Sequence, residues 1–235
     1  LEKSYLIWEL IVTMAELRFT KSFTQQEPMP EAGIKLVNNI LKTGRLHRYN
    51  LDQNEESQAS MLENEFAKWQ GVDFCLACTS GGYALQLALR ACGVEAGDKV
   101  LANAYTLAPV PGAIHNLGAV PILVEIDENY HIDLDDLINK SEETGAKYLL
   151  LSHMRGHIAD MDKVVSICNR MNITLIEDCA HTMGSKWNGV RSGNFGLVAA
   201  FSTQTYKHLN SGEGGFLTTN NSELAAKAVV SSGSY

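Results

Sequence analysis

The stretch "KYLLLSHMRGHIADMDKVVSICNRMNITLIE", residues 147–177, decides the fold. It opens and closes on the apolar runs YLLL and TLIE, which are continuous rather than alternating, as strands buried on both faces of a sheet must be. Between them, residues 160–170 carry apolar side chains near i, i+3 and i+4, the spacing of an amphipathic helix. Strand, helix and strand form one βα unit, and strands joined through a helix run parallel.

The same alternation extends outward from Phe74. Strands are expected at 74–78, 99–103, 121–125, 147–152, 173–177, 197–202 and 215–219. Helices are expected at 31–42, 57–69, 82–92, 107–117, 133–140, 160–170 and 222–230. The fold class is therefore α/β, a three-layer α/β/α arrangement around a mostly parallel seven-stranded sheet.

With 235 residues, 45% of them hydrophobic, the chain can bury the core of one globular domain with or without a small extension. Nineteen Lys and Arg against 27 Asp and Glu leave a net charge of -8 with no basic block, so nucleic acid is not an expected partner. Five scattered cysteines suit reduced thiols in a cytoplasmic core better than a disulfide framework. Cys75 and Cys78 form one CxxC with no second pair, and residues three apart on a strand face opposite sides, so no metal site is expected.

The opening run "LEKSYLIWELIVTMAELRFT" is interrupted by Glu9 and lacks a small-residue cleavage site, which makes it a poor signal peptide, and it is too short to span a bilayer. Membrane association is not expected. The first residue is Leu, so Met14 is a candidate start and residues 1–13 a candidate upstream tail. The expected division is an N-terminal extension, 1–30, and a main domain, 31–235.

In parallel sheets, ligands collect at the carboxyl ends of the strands. After the first strand comes "TSGG", residues 79–82, where hydroxyls and helix N-terminal N–H groups can cradle a phosphate or simply cap the helix. The fifth strand ends on Glu177 and Asp178, with His181 just beyond; a carboxylate there needs a cationic partner or several donors. A protonated pyridine nitrogen, as in pyridoxal phosphate, is such a partner, although an Asp also turns a chain.

After the sixth strand, "AFSTQTYKHLNSGEGGFL", residues 200–217, sets Lys207 in a loop of hydroxyl, amide and glycine residues. A lone loop lysine is usually solvated. Beside a cofactor aldehyde, its amine forms a Schiff base. Ser202 can add a donor to the phosphate, and the glycines allow tight backbone near a bulky ligand.

The motifs "GRLHRYN" (44–50), "LENEFAKWQGVDFCLACTSGGYALQLALRACGVEAGDKVLANAYT" (62–106), "GAVPILVEID" (118–127), "ADMD" (159–162), "IEDCAHTMGSKWNGVRSGNFG" (176–196) and "AFSTQTYKHLNSGEGG" (200–215) stand in order. From about Glu31 to Asn221 the chain resembles the sugar aminotransferases of the DegT/StrS family. These are pyridoxal-phosphate enzymes of the aspartate-aminotransferase fold, and the resemblance makes 31–235 their cofactor-binding large domain. It implies an enzyme that takes an amino group from glutamate or glutamine and gives it to a keto sugar, usually nucleotide-linked, or a keto cyclitol, in polysaccharide or secondary-metabolite biosynthesis.

By position, the resemblance implies that Lys207 is the Schiff-base lysine and proton shuttle. Asp178 keeps the ring nitrogen protonated, His181 takes a position, often Gln, near the phenolic oxygen, and Ser80, Gly81 and Ser202 bind the phosphate. Three departures stand out. Gly82 replaces a common Thr, Leu107 replaces a stacking aromatic, and the chain stops before the family's smaller C-terminal domain. Family members also dimerise, so a homodimer is expected of the full-length protein.

Arg48 and Tyr49 are placed either at the mouth of the site or in docking the N-terminal helix. A non-catalytic, regulatory pyridoxal-phosphate binder is the rival function. A nucleotide-binding doubly wound domain ranks last, because no GxGxxG follows the first strand.

Overall fold

The computed structural model describes residues 20, 22, 26, 28–48, 51–53 and 55–233. The suggested tail 1–13, Met14 and Tyr49 lie outside the described residues. The chain comprises two units, Leu1–Arg45 and Leu46–Tyr235. The first contains helix α1 (Glu31–Thr43), closed by Gly44 in the left-handed conformation.

The second unit holds α2 (Gln58–Gln70), β1 (Phe74–Cys78), α3 (Gly81–Ala91), β2 (Lys99–Asn103), α4 (Pro109–His115), β3 (Val120–Val124), α5 (Leu134–Thr144) and β4 (Tyr148–Ser152). It continues through α6 (Met161–Met171), β5 (Thr174–Asp178), the short strands β6 (Lys186–Trp187) and β7 (Val190–Arg191), β8 (Val198–Ser202), β9 (Gly215–Thr219) and α7 (Ser222–Ser232). Side chains at the turns start these helices. Ser57, Asp133, Asp160 and Asn221 each accept a first-turn N–H, which satisfies donors that the helix itself cannot.

Among the described residues the main sheet has seven strands in the order β1-β9-β8-β5-β4-β2-β3. The pairs β8–β5, β5–β4, β4–β2 and β2–β3 are parallel, and β9 runs antiparallel to both β8 and β1. The reversal has a simple cause. β8 and β9 are joined by a loop without a crossover helix, and such a connection returns the chain in the opposite direction.

Alternation along each strand splits the core between two faces. Val100 and Ala102, Leu150, Ile176 and Ala200 pack under α3, α4 and α7. Their neighbours Leu101, Leu149, Leu151 and Leu175 pack under α5 and α6. Phe66 of α2 stacks on Phe216 and edges onto Phe201 to close the second face. Each fully buried Leu or Ile removes about 1.5–3 kcal/mol of apolar hydration cost, so the sheet cannot slip register by one residue without exposing a whole set.

The helix expected at 133–140 runs Leu134–Thr144, and two more details depart from the sequence expectation. The fourth helix is shorter than 107–117, because Pro109 has a fixed φ and no N–H and so suits the first helical turn. The hairpin β6–β7 was not anticipated, although its turn is Asn188-Gly189, with φ of 46° and 84°. Both residues adopt the positive φ that a tight two-residue hairpin requires.

Candidate active site

The site is assembled where β1, β4, β5 and β8 end. At the start of α3, Ser80 is extended and its hydroxyl oxygen accepts the Tyr83 N–H at 3.1 Å. Gly81 and Gly82 follow, and their N–H groups have no acceptor within the helix. The helix dipole adds positive potential at this point. Gly81 is required sterically: a Cβ there would sit 2.7 Å from the Ser202 Cβ. At Gly82 a Cβ would meet nothing closer than 3.8 Å, so the residue leaves open space beside the helix terminus.

Asp178 ends β5 and is 8% exposed. One oxygen accepts the Ser152 hydroxyl at 2.8 Å and the other the Ala180 N–H at 3.1 Å. Ser152 is fixed in turn by Asn103 of β2, which accepts its N–H at 2.9 Å and donates to its carbonyl at 3.1 Å. Three adjacent parallel strands therefore set the carboxylate.

Glu177 points to the other side and serves the fold. Oε2 accepts from His153 Nε2 (3.0 Å) and Gly193 N (2.9 Å), and Oε1 from Phe195 N (2.8 Å) and Gly196 N (2.7 Å). Burial raises its carboxyl, but His153 and these N–H groups outweigh burial and hold it below the usual range. His153, Glu177 and Cys179 could be taken for a metal trio, since their ligand atoms lie within 4.8 Å. Both Glu177 oxygens are committed to donors, however, and burial pushes the Cys179 thiol well up, which disfavours the thiolate a metal needs.

Lys207 lies half-buried in the β8–β9 loop. Thr203 N–H to Gly214 O (2.9 Å), Ser211 N–H to Thr203 O (2.9 Å) and Thr205 N–H to Gly212 O (3.0 Å) zip the loop's two arms together. The Lys207 N–H closes a turn onto Gln204 O at 2.8 Å. The lysine's direct partner is His181, with Nζ 2.6 Å from Nε2. His181 Nδ1 faces the Arg155 N–H at 3.3 Å. Burial lowers the Lys207 amine below the usual ammonium range, and the Arg155 charge adds to this against the opposing pull of Asp178.

All eight residues singled out from the sequence, Ser80, Gly81, Gly82, Leu107, Asp178, His181, Ser202 and Lys207, line one cavity of about 350 Å³. Ser152, Met154, Gln204 and Glu213 line it too and were missed. Ser152 is legible as the polar end of the YLLLS strand, whereas the next residue, His153, turns into the core. Gly214 and Gly215 give room to Thr203 and to the Gly81 backbone.

Arg48 pairs with Glu63 and donates to the Ala77 carbonyl at 3.1 Å, while the Ala77 N–H donates to Glu63 at 2.7 Å. The pair satisfies the free edge of β1. Cys75 and Cys78 pack into clusters on opposite faces of that strand, and burial pushes Cys78 up to about 12.

The chain has relatives among known proteins. The chain is 35% identical over 202 residues to the L-glutamine:2-deoxy-scyllo-inosose aminotransferase of Streptoalloteichus tenebrarius, covering 85% of this chain and 47% of that one. It is 37% identical over 170 residues to the GDP-perosamine synthase of Caulobacter vibrioides, covering 71% and 45%. The crystal structure of an aminotransferase from Psychrobacter cryohalolentis superposes with a TM-score of 0.80 at 27% identity, over 88% of this chain and 51% of that one. The chain spans about half the length of the curated relatives it matches. Residues 30–233 match the pattern of one family throughout, and the chain belongs to the DegT/DnrJ/EryC1/StrS aminotransferase family.

Proposed function

We propose that the cavity binds pyridoxal 5'-phosphate and that the protein moves an amino group from glutamine or glutamate to a keto cyclitol or a keto sugar, the sugar nucleotide-linked. The observation that carries this reading is the convergence of Lys207, Asp178, His181 and the α3 N-terminus on one cavity. The substrate class is supported by the relatives named for scyllo-inosose and GDP-perosamine. None of those names favours the non-catalytic rival.

The residues fit the cofactor's parts. Two N–H groups without an intrahelical acceptor, at a helix N-terminus beside the Ser80 and Ser202 hydroxyls, suit a phosphate. A buried carboxylate oriented by Ser152 suits a protonated ring nitrogen. When bound, the cofactor supplies an electron sink that no side chain offers.

The remaining work falls to the chain. Ser80, Gly81, Gly82 and Ser202 would hold the phosphate, Asp178 the ring nitrogen, and Leu107 would offer an apolar wall to the ring. Lys207 would provide the amine and carry the proton at Nζ, with His181 beside it on the side of the phenolic oxygen. On this reading residues 31–235 serve as the cofactor-binding large domain of a homodimeric enzyme. Five free thiols suit a cytoplasmic setting, and no helix among the described residues is long and apolar enough to cross a membrane.

The test is the visible spectrum after adding pyridoxal phosphate. A band should form, borohydride should bleach it, and Lys207→Ala should abolish it. Adding glutamine or glutamate should then convert the band. With no band in the intact protein the proposal fails, and a band indifferent to every amino donor returns the non-catalytic rival.

A further inference from the structure

His181 stands between two nitrogens, and neutral imidazole carries a single N–H. Its Nδ1 lies 3.3 Å from the backbone nitrogen of Arg155, whose N–H points at it, so Nδ1 is the acceptor and the ring proton sits on Nε2. That Nε2 lies 2.6 Å from Lys207 Nζ. An N–H aimed at a nitrogen needs a lone pair there. A neutral amine has one and an ammonium has none, so a charged Lys207 would set N–H against N–H.

We propose that the Arg155 backbone N–H locks His181 as its Nε2–H tautomer, and that this donor holds Lys207 as the free amine, the form that attacks an aldehyde. Arg155 and His181 are positioning residues in this scheme. The inference rests on the reading of Lys207 as the nucleophile and adds how it is kept ready.

The backbone is arranged for this lock. Arg155 sits at φ 56° and ψ 18° inside the short turn Met154–Gly156, a left-handed conformation that is strained for a non-glycine residue. The turn is closed by the Gly156 N–H on His153 O and the His157 N–H on Met154 O, both at 3.1 Å, which leaves the Arg155 N–H directed at the imidazole.

The charges around the pair agree with the tautomer. Burial disfavours imidazolium and the Arg155 charge adds to this, while Asp178 pulls the other way. Burial and Arg155 likewise disfavour the ammonium against Asp178. A Gln at position 181 would present an amide N–H to the same atom with no tautomer to fix. The histidine needs the Arg155 contact to do the same task.

The test uses the full chain without pyridoxal phosphate. Two-bond proton–nitrogen spectra of ring-labelled histidines should show His181 as the neutral Nε2–H form through neutral pH; an Nδ1–H form or an imidazolium there overturns the proposal. Reductive methylation by formaldehyde and cyanoborohydride, mapped to Lys207, reads the amine. His181→Gln should keep its neutral-pH rate within a few-fold, and His181→Phe should lower it about tenfold, a shift of roughly one pH unit in its profile. Equal rates in the wild type and His181→Phe also overturn it. Because no cofactor is added, these outcomes are independent of the absorption band. A reactive Lys207 without a band sinks the aminotransferase reading alone, and a band with the wrong tautomer sinks only this one.

Discussion

The Ser152 hydroxyl donates to Asp178 Oδ2 at 2.8 Å from the neighbouring parallel strand, in a register that pairs the two residues directly. A hydrogen bond to a buried carboxylate contributes about 1.5–3 kcal/mol, and here it also fixes which way the carboxylate faces. Ser152→Ala should therefore lower stability by about 1.5–3 kcal/mol and weaken pyridoxal phosphate retention by about tenfold or more. Equilibrium dialysis against the cofactor, together with thermal melting, checks both halves.

Gly82 and Gly81 should respond oppositely. The open space at Gly82 accepts a side chain, so Gly82→Thr should add a phosphate donor and tighten the cofactor several-fold, with about 0.5–1 kcal/mol of helix stabilisation from Gly82→Ala. Gly81→Ala drives a methyl into Ser202 and should cost about 1–3 kcal/mol. Urea midpoints and cofactor titrations of the three variants decide the matter, and equal effects at both positions would count against the geometry.

Leu107 is 45% exposed at the cavity wall, where only apolar packing is available. Leu107→Phe should add ring stacking worth about 0.5–1.5 kcal/mol and slow cofactor loss several-fold. The dissociation rate can be followed by the fading of the visible band on dilution.

Glu177 links stability to pH. Its folded carboxyl is held low while the unfolded one titrates near about 4.3, so its contribution is complete above that value and is lost as pH falls through the lowered folded value. Glu177→Ala should cost about 3–5 kcal/mol at neutral pH by leaving His153 and three backbone donors unpaired. In acid the gap between variant and wild type should narrow, as urea denaturation across pH would record.

Arg48→Ala should lower stability by about 1–3 kcal/mol, through the loss of its bonds to Glu63 and Ala77, and leave KM for the amino donor unchanged. A raised KM at unchanged stability would place Arg48 at the substrate instead.

Much of this protein was legible in its sequence because periodicity records burial. Runs such as YLLL and VAAF, set between amphipathic stretches, read as strands covered on both faces, and the polar residues that follow such strands, Ser80, Asp178, Ser202 and Lys207, then share the sheet's carboxyl edge. The helix caps and the Asn188-Gly189 hairpin are equally local signals.

Neighbours across strands are a different matter, because pairing over many residues leaves no periodic trace in either partner. Only the tertiary structure inserted β9 between β1 and β8, gave Asp178 the hydroxyl of Ser152, turned Glu177 toward the 193–196 loop, and set His181, not Asp178, against the Lys207 amine. The sequence by itself determined which residue types stand at the strand ends and in what order. The packing of the sheet decided which of those groups touch, because strand register and loop closure, not spacing along the chain, bring their atoms within hydrogen-bond distance.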